Sequence, residues 1–429
     1  MDTASNDMNV QCMCASLDRD ELLAAFQAEI GAELFEKHFL EFQSAAISDV
    51  PVFVDRDQMR QMQDIIAAVE AVASTEVYQQ AAIEHAPEIA TYRPGAVGVL
   101  MGYDFHLGPA GPTLIEINTN AGGAMINAYL APAQRLCCAA KQTDFGIESY
   151  AEDPAAAIVR CFWKDWRRQR ASERPQSIAI VDENPERQFF YPEMLLFKKA
   201  FEREGVKTMI ASPEMLRYYG GSLRFEDETI DMVYNRLTDF YFEKSQSAAL
   251  KSAYLADDVV VTPHPRAHAM LANKKNLVLL CKESLLREWN VEERQIRTLI
   301  DGIPKTFPVD PRKGEEFWSD RKGLFFKPSA GFGSKAAYRG DKVTRRVWSE
   351  ILENDYVAQA IVPPSARNVL VNGVVQTMKV DIRNYTYDGL TLLSAARLYQ
   401  GQTTNMRTRG GGFSPAFSID VSEFSRCSC

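Results

Sequence analysis

The chain has 429 residues, long for one hydrophobic core and enough for two or three domains. Its 46% hydrophobic and 24% charged residues are ordinary for a globular protein. The net charge of −9 argues against nucleic acid as the main partner, because a phosphate backbone needs a basic face. No apolar run reaches the roughly 18 residues of a membrane span. The polar N-terminus has no signal-peptide core, so no membrane and a cytoplasmic setting are expected. Eight cysteines are too few for a disulfide framework at this length. Cys12/Cys14 and Cys427/Cys429 read as tails, and Cys137-Cys138 as packing in a helix.

Asp18 to His38 is expected to form one helix, with Leu22, Phe26, Ile30 and Leu34 at helical spacing behind a cap at Asp18 or Ser16. Residues 57–74 and 77–85 are further helices. Runs 96–106 and 113–118 predict two strands, joined by the turn Gly108-Pro109-Ala110-Gly111-Pro112. Gly122-Gly123 opens a helix toward Cys138. From Pro154, helices at 154–171 and 189–204 alternate with strands at 177–181, 206–210, 230–234 and 259–262, the pattern of a parallel α/β layer. A third section from Pro265 predicts a helix at 268–281, a strand ending at Lys327, strands at 356–362, 377–383 and 392–398, and a glycine-rich segment at 404–413.

Glu116 and Asn118 stand two apart on a strand and so share a face, and a hairpin would bring Asp104 alongside. Two carboxylates and an amide oxygen form a hard set suited to Mg2+, an ion that also takes substrate phosphates. Lys327 closes the apolar run Gly323-Leu324-Phe325-Phe326 and precedes a loop containing Gly331 and Gly333, whose backbone can approach phosphate oxygens. The loop has neither the Walker A nor the G-x-G-x-x-G spacing. Lys274 or Lys275, with Arg383, Arg397, Arg407 and Arg409, adds cations, and Asn405 and Gly410-Gly411-Gly412 share the last arginines' segment. The histidines (His38, His85, His106, His264, His268) form no dyad or triad pattern. Asp182-Glu183-Asn184-Pro185 stands after Val181 where a dinucleotide fingerprint would need glycines, which argues against a dehydrogenase.

The series Asp104 … Glu116-Ile117-Asn118 resembles the magnesium triad of ATP-grasp ligases. Asp381-Ile382-Arg383, Arg397, then Asn405 with the glycine run, is similar to another series of the same family. In unpermuted members Glu-x-Asn comes last, whereas here it comes first. That order resembles the circularly permuted branch, which includes eukaryotic-type glutathione synthetase and glutathionylspermidine-synthase-like proteins. Ala272-Asn273-Lys274-Lys275 looks like the first ATP-lysine segment, and Lys327 with Gly331 and Gly333 like the second lysine and its glycine loop. Gln359 and Ile361 resemble the hinge strand that meets adenine. Arg407 and Arg409 with Gly411 and Gly412 look like the segment giving one cation to the acceptor carboxylate and one to ATP. Asp182, Asn184 and Gln188 have the spacing of donor-peptide contacts, and Tyr234-Asn235-Arg236 resembles the motif whose arginine holds a substrate carboxylate.

The resemblance implies an α/β (α+β) protein with a circularly permuted ATP-grasp fold and an inserted parallel α/β substrate-binding domain. The implied division is 1–150 for N-terminal helices and metal-binding hairpin, 151–265 for the substrate-binding domain and 266–429 for the nucleotide-binding domain. It implies ATP and Mg2+, and an ATP-dependent carboxylate–amine ligase acting through an acyl phosphate on an amino acid or small peptide. Small-molecule carboxylate and amine partners and a homodimer are expected. Arg383 and Arg397 would steady the transferring phosphoryl group, Arg407 would serve the acceptor, and Gly410 to Gly412 would form a closing flap. An ATP-dependent phosphotransferase and a nucleotide-binding regulator without turnover are the alternatives. The sequence departs from the branch in three places: the glycine loop lacks an acidic metal ligand, the stretch after Asn118 is short, and Gly102 replaces an arginine for which Arg93 is the expected substitute.

Overall fold

The computed structural model describes residues 4–11, 16–135, 153–331, 333 and 335–419. Cys12, Cys14, Cys137, Cys138, Cys427 and Cys429 lie outside them. No helix among the described residues is long and apolar enough to cross a membrane.

The largest sheet has seven strands and draws on both ends of the sequence. Its order is Val52–Asp55, Gly412–Ile419, Leu390–Tyr399, Val374–Tyr387, Met101–Gly108 and Gly111–Asn118, with Ser365–Val371 also paired to Val374–Tyr387. The first pair is parallel and the other pairs are antiparallel. A second, four-stranded antiparallel sheet is ordered Thr306–Pro308, Tyr356–Ala360, Leu324–Pro328, Tyr338–Arg339. The expected parallel layer is present as Val260–Thr262, Met232–Asn235, Ser177–Val181 and Lys207–Ala211. Every residue of its Ser177–Val181 strand is buried, as a parallel strand covered on both faces requires. A three-stranded meander over residues 216–229, which no expectation covered, lies beside the Ala248–Leu255 helix.

Several expected elements are shorter or broken. The helix expected over 18–38 is two, Arg19–Ile30 and Ala32–Ala46, because Gly31 adopts a φ of +86°. Asp18 caps the first, accepting from the Glu21 N–H at 3.0 Å. The strand expected from residue 96 begins at Met101. Before it, the Val97 and Gly98 N–H groups donate to the buried Asp165 carboxylate, which also accepts from Thr262 and Tyr387 hydroxyls. The helix expected over 268–281 is two pieces, a π-helical turn over His268–Ala272 and Lys275–Leu280, preceded by a short turn of helix at Pro265–Ala267.

Candidate functional site

A hairpin carries the acidic set, as expected. In the antiparallel register Asp104 lies opposite Glu116, and Gly102 opposite Asn118, so all four residues share a face. The neighbouring strand adds Arg383 opposite Asp104, and the next adds Arg397 opposite Asp381. One face of the large sheet is thereby polar while Tyr103, Phe105, Leu114 and Ile117 fill the core behind it.

Asp104 is held by arginines. Arg383 donates Nε and Nη2 to its two carboxylate oxygens at 2.6 and 2.7 Å, and Arg397 Nη2 lies 2.8 Å from Oδ2. Asn118 Nδ2 adds a fourth contact at 3.1 Å. Burial would raise the Asp104 pKa, but Arg383 and Arg397 outweigh it and hold the carboxyl below its ordinary value. Arg397 also donates Nε to Asp381 at 2.6 Å, and the Thr404 hydroxyl completes that carboxylate at 2.5 Å. Asp104, expected as a metal ligand, is thus bound in this structure to Arg383 and Arg397, the arginines expected to steady the phosphoryl group. Gly102 lies against the same arginine. A Cβ there would come within 3.3 Å of Arg383 and 2.5 Å of Ala121, so a side chain at this position would crowd the pair. Arg93 does not substitute for the arginine missing there; it pairs with Glu76 on the surface at 2.6 Å.

The lysines meet Glu116 from the other side. Lys274 Nζ lies 3.0 Å from Glu116 Oε1 and donates to the Gly331 carbonyl at 2.8 Å. Lys327 Nζ donates to the Ile115 carbonyl at 3.0 Å and to Gln359 Oε1 at 2.8 Å, joining the seven-stranded and four-stranded sheets. Burial lowers the Lys327 pKa to about 8, with Lys274 pushing the same way against the pull of Glu116 and Asp104. Burial raises the Glu116 pKa, but Lys274 and Lys327 bring it below the ordinary carboxylate value. Lys275 turns away and pairs with the exposed Asp355 at 2.8 Å, so of the two adjacent lysines only Lys274 reaches the site.

Between the sheets lies a cleft of about 740 Å3, measured out to its open mouth. Glu116, Lys274, Lys327, Gly331, Gln359 and Ile361 are among its walls. Sequence reasoning missed others. His106 Nδ1 donates to the Val362 carbonyl, 2.7 Å away, and Lys335, Tyr399 and Gln402 to Thr404 also line the cleft. The polar half of the site holds Lys274, Lys327, Arg383 and Arg397 against Asp104, Glu116 and Asp381, an excess of one positive charge suited to an anion.

A divalent cation would find Glu116 and Asn118 here. Asn118 spends its amide nitrogen on Asp104, and its oxygen is the hard donor left beside the Glu116 carboxylate. One carboxylate and one amide oxygen fit Mg2+ completed by substrate phosphates, since this ion is commonly held by one or two carboxylates. Among the described residues no group of three His, Cys, Asp or Glu side chains could hold a metal by itself.

The C-terminal glycine segment is no open flap. Gly411 and Gly412 are buried, and a Cβ would strike the Leu398 carbonyl at 2.4 Å from the first and Ala46 at 2.4 Å from the second. Their bare backbones let the Gly412–Ile419 strand pack closely. Asn405 organises its own turn, donating to the Gln400 carbonyl and accepting from the Arg407 N–H. Arg407 is exposed, and Arg409 donates to Asn372 at 3.0 Å. Gly333, with φ +59°, is exposed in the glycine loop.

The middle layer differs. Arg236 is 6% exposed and donates to the Tyr234 hydroxyl at 2.8 Å and to Glu193 at 3.3 Å. Glu193 also accepts from the Gly123 and Met125 N–H groups at 2.9 and 3.0 Å. A carboxylate of the chain itself thus fills the place expected for a substrate's. Asp182 is buried and accepts from the Glu183 N–H at 2.8 Å, and burial lifts its pKa to about 6 despite Arg236. Asn184 is left-handed at φ 46°, and Gln188 donates to the Glu183 carbonyl at 2.5 Å, so both shape the turn.

No protein-family model matches the chain, and no curated protein does. Solved structures do match. A glutathione synthetase-like effector, GSS30, from Globodera pallida in its apo form has a TM-score of 0.50 at 11% identity, over 86% of this chain and 89% of that one. A protein assigned as a gamma-glutamylcysteine synthetase from Methylobacillus flagellatus KT scores 0.48 at 10% identity, over 84% and 87%. The ATP-grasp ligase PsnB, with minimal precursor, Mg and ADP, scores 0.30 at 14% identity, over 59% and 91%. In fold, the chain is similar to this glutathione synthetase-like effector, with mixed helices and sheets over most of both chains.

Proposed function

We propose that the protein is an ATP-dependent carboxylate–amine ligase that forms an amide through an acyl phosphate. The observation that carries this reading is the convergence of buried Lys274 and Lys327 on Glu116 and its strand, at the inner end of a cleft between the seven-stranded and four-stranded sheets. Lys274 and Lys327 hold triphosphate oxygens, and the Gln359 to Ile361 strand end receives the adenine. Glu116 and Asn118 would hold Mg2+, which would supply charge neutralisation for the phosphates. Asp104 and Asp381 act through the arginines: they lock Arg383 and Arg397 into place so that two fixed positive charges face the site.

A donor carboxylate oxygen attacks the γ-phosphorus, the bond to the β–γ bridging oxygen breaks, and ADP leaves. An amine then attacks the acyl carbon, loses a proton and expels phosphate. The chain supplies position and charge rather than a nucleophile. Arg407, exposed three residues beyond the cleft wall at Thr404, suits a carboxylate-bearing amine such as an amino acid or small peptide. A nucleotide-binding protein without turnover is a second reading, favoured by one observation: Asp104 is spent on arginines, which leaves Glu116 as the one acidic ligand for a cation.

An ADP-release screen over pairs of carboxylates and amines tests the reading, with Glu116→Gln as the blank. Release by wild type that depends on both substrates supports it. Release independent of the amine points to a phosphotransferase, and equal release by both proteins under every pair removes the ligase.

A further inference from the structure

His106 has no part in the chemistry above, yet it stands in the cleft wall. It lies two residues beyond Asp104 on the same strand, and so on the same polar face of the seven-stranded sheet. The residue is half-buried, and the rest of its surface meets open space. A second cavity, of about 1010 Å3 measured out to its mouth, shares walls with the cleft at His106, Phe325, Ile361, Val362, Tyr399 and Gln402. The two cavities thus adjoin at His106. A flat ligand there is not gripped on every side, and polar contacts must do part of the selecting.

A backbone group sets the tautomer of the ring. A carbonyl oxygen only accepts, so the 2.7 Å contact between Nδ1 and the Val362 carbonyl places a proton on Nδ1. Nε2 has no hydrogen-bond partner among the described residues, and in the neutral ring it is a bare acceptor. Burial brings the pKa of His106 below its ordinary value, against the pull of Asp381 and the Val362 carbonyl and with the push of Lys327 and Arg397, which favours the neutral ring.

The position of Val362 tells which part of a nucleotide lies near. Lys274, Lys327 and Glu116 mark the phosphate end. Val362 directly follows the Gln359 to Ile361 strand end assigned to the adenine. Several polar groups of that strand end are spent inside the chain. Gln359 accepts from Lys327 at 2.8 Å and donates to Thr306 Oγ1 at 3.3 Å. The Ala360 and Ile361 N–H groups donate to the Lys305 and Gly323 carbonyls at 2.8 and 2.9 Å. Pro363 and Pro364 have no N–H to offer.

Building on the ATP site of the ligase reading, we propose that His106 determines base specificity: its Nε2 accepts a hydrogen bond from the 6-amino group of the purine. A 6-oxopurine presents a carbonyl oxygen at that place, and two acceptors facing each other lose the bond and repel.

Purine riboside triphosphate, which is ATP without the 6-amino group, isolates this contact. Wild-type protein is expected to bind ATP about tenfold more tightly than the analogue, the scale of one hydrogen bond. His106→Leu removes the acceptor and is expected to bind the two alike, with its affinity for the analogue held. Calorimetric titration gives the Kd values. Nitrogen NMR of the wild-type imidazole tests the same contact without a mutation: the proton should sit on Nδ1, and the bare Nε2 signal should move more with ATP than with the analogue. Equal wild-type affinities, a variant that keeps the wild-type preference, or a proton on Nε2 overturns this inference and leaves the ligase standing. No binding of either triphosphate by wild type removes both.

Discussion

The cleft between the seven-stranded and four-stranded sheets and the parallel α/β layer both gather buried arginine and carboxylate, but they balance charge in opposite ways. At the polar end beside the cleft Lys274, Lys327, Arg383 and Arg397 meet Asp104, Glu116 and Asp381, and the two lysines stand in the cleft wall. In the parallel layer one cation, Arg236, sits between two carboxyl groups, Glu193 and Asp182, and all three are buried. The first arrangement has charge left for an anionic ligand. The second is satisfied from within. A buried arginine is therefore weak evidence for a ligand until its own partners are counted.

The largest expected effect tests the frame behind the cleft. Asp104→Asn strips one carboxylate from between Arg383 and Arg397, and breaking such a buried pair costs about 3–5 kcal/mol. Thermal unfolding should show a clear drop in Tm; a Tm at the wild-type value would mean the arginines are held otherwise. Next come the lysines. Lys327→Met and Lys274→Met should each weaken ATP binding by about 2–5 kcal/mol, the scale of losing a buried charge partner, whereas Arg236→Met should lower Tm and leave ATP affinity alone. Calorimetric titration separates these, and the comparison breaks if Arg236→Met loses ATP while a lysine variant keeps it.

Acidity sharpens the same contrast. Lys327 is charged below about pH 8 and neutral above it. ATP affinity should hold through neutral pH and then fall above pH 8, by at most about tenfold per pH unit. Lys327→Arg keeps its charge and should flatten the curve. An affinity that rises above pH 8 would contradict the role of Lys327. The smallest effect belongs to Lys275. Its partner Asp355 is exposed, and such pairs contribute about 0–1 kcal/mol. Lys275→Ala should bind ATP within about twofold of wild type; a larger loss would return this lysine to the site.

The hairpin was legible because Glu116 and Asn118 flank the apolar Ile117 and follow the apolar pair Leu114-Ile115, a local pattern that marks a strand. Lys327 was legible for the same reason, at the end of an apolar strand and before glycines. The partners of Asp104 were not. Arg383 lies 279 positions away and reaches it only through strand pairing, which no spacing announces. Glu193 meets Arg236 across 43 positions from a helix of another part of the layer. The glycine run misled for the opposite reason. Three glycines look flexible in sequence, yet Leu398 and Ala46 crowd Gly411 and Gly412 into a packed strand start. The break at Gly31 and the π turn at His268–Ala272 were hidden inside stretches whose apolar spacing is helical on both sides.

In the ligase reading adenosine triphosphate enters the cleft between the seven-stranded and four-stranded sheets and not the parallel layer. Photolabelling with 8-azido-ATP, followed by peptide mass spectrometry, tests it directly. Expected is ATP-protectable label on peptides spanning Tyr356 to Pro364 or Leu324 to Arg339. Label concentrated instead on peptides around Asp182 to Glu193 would contradict it.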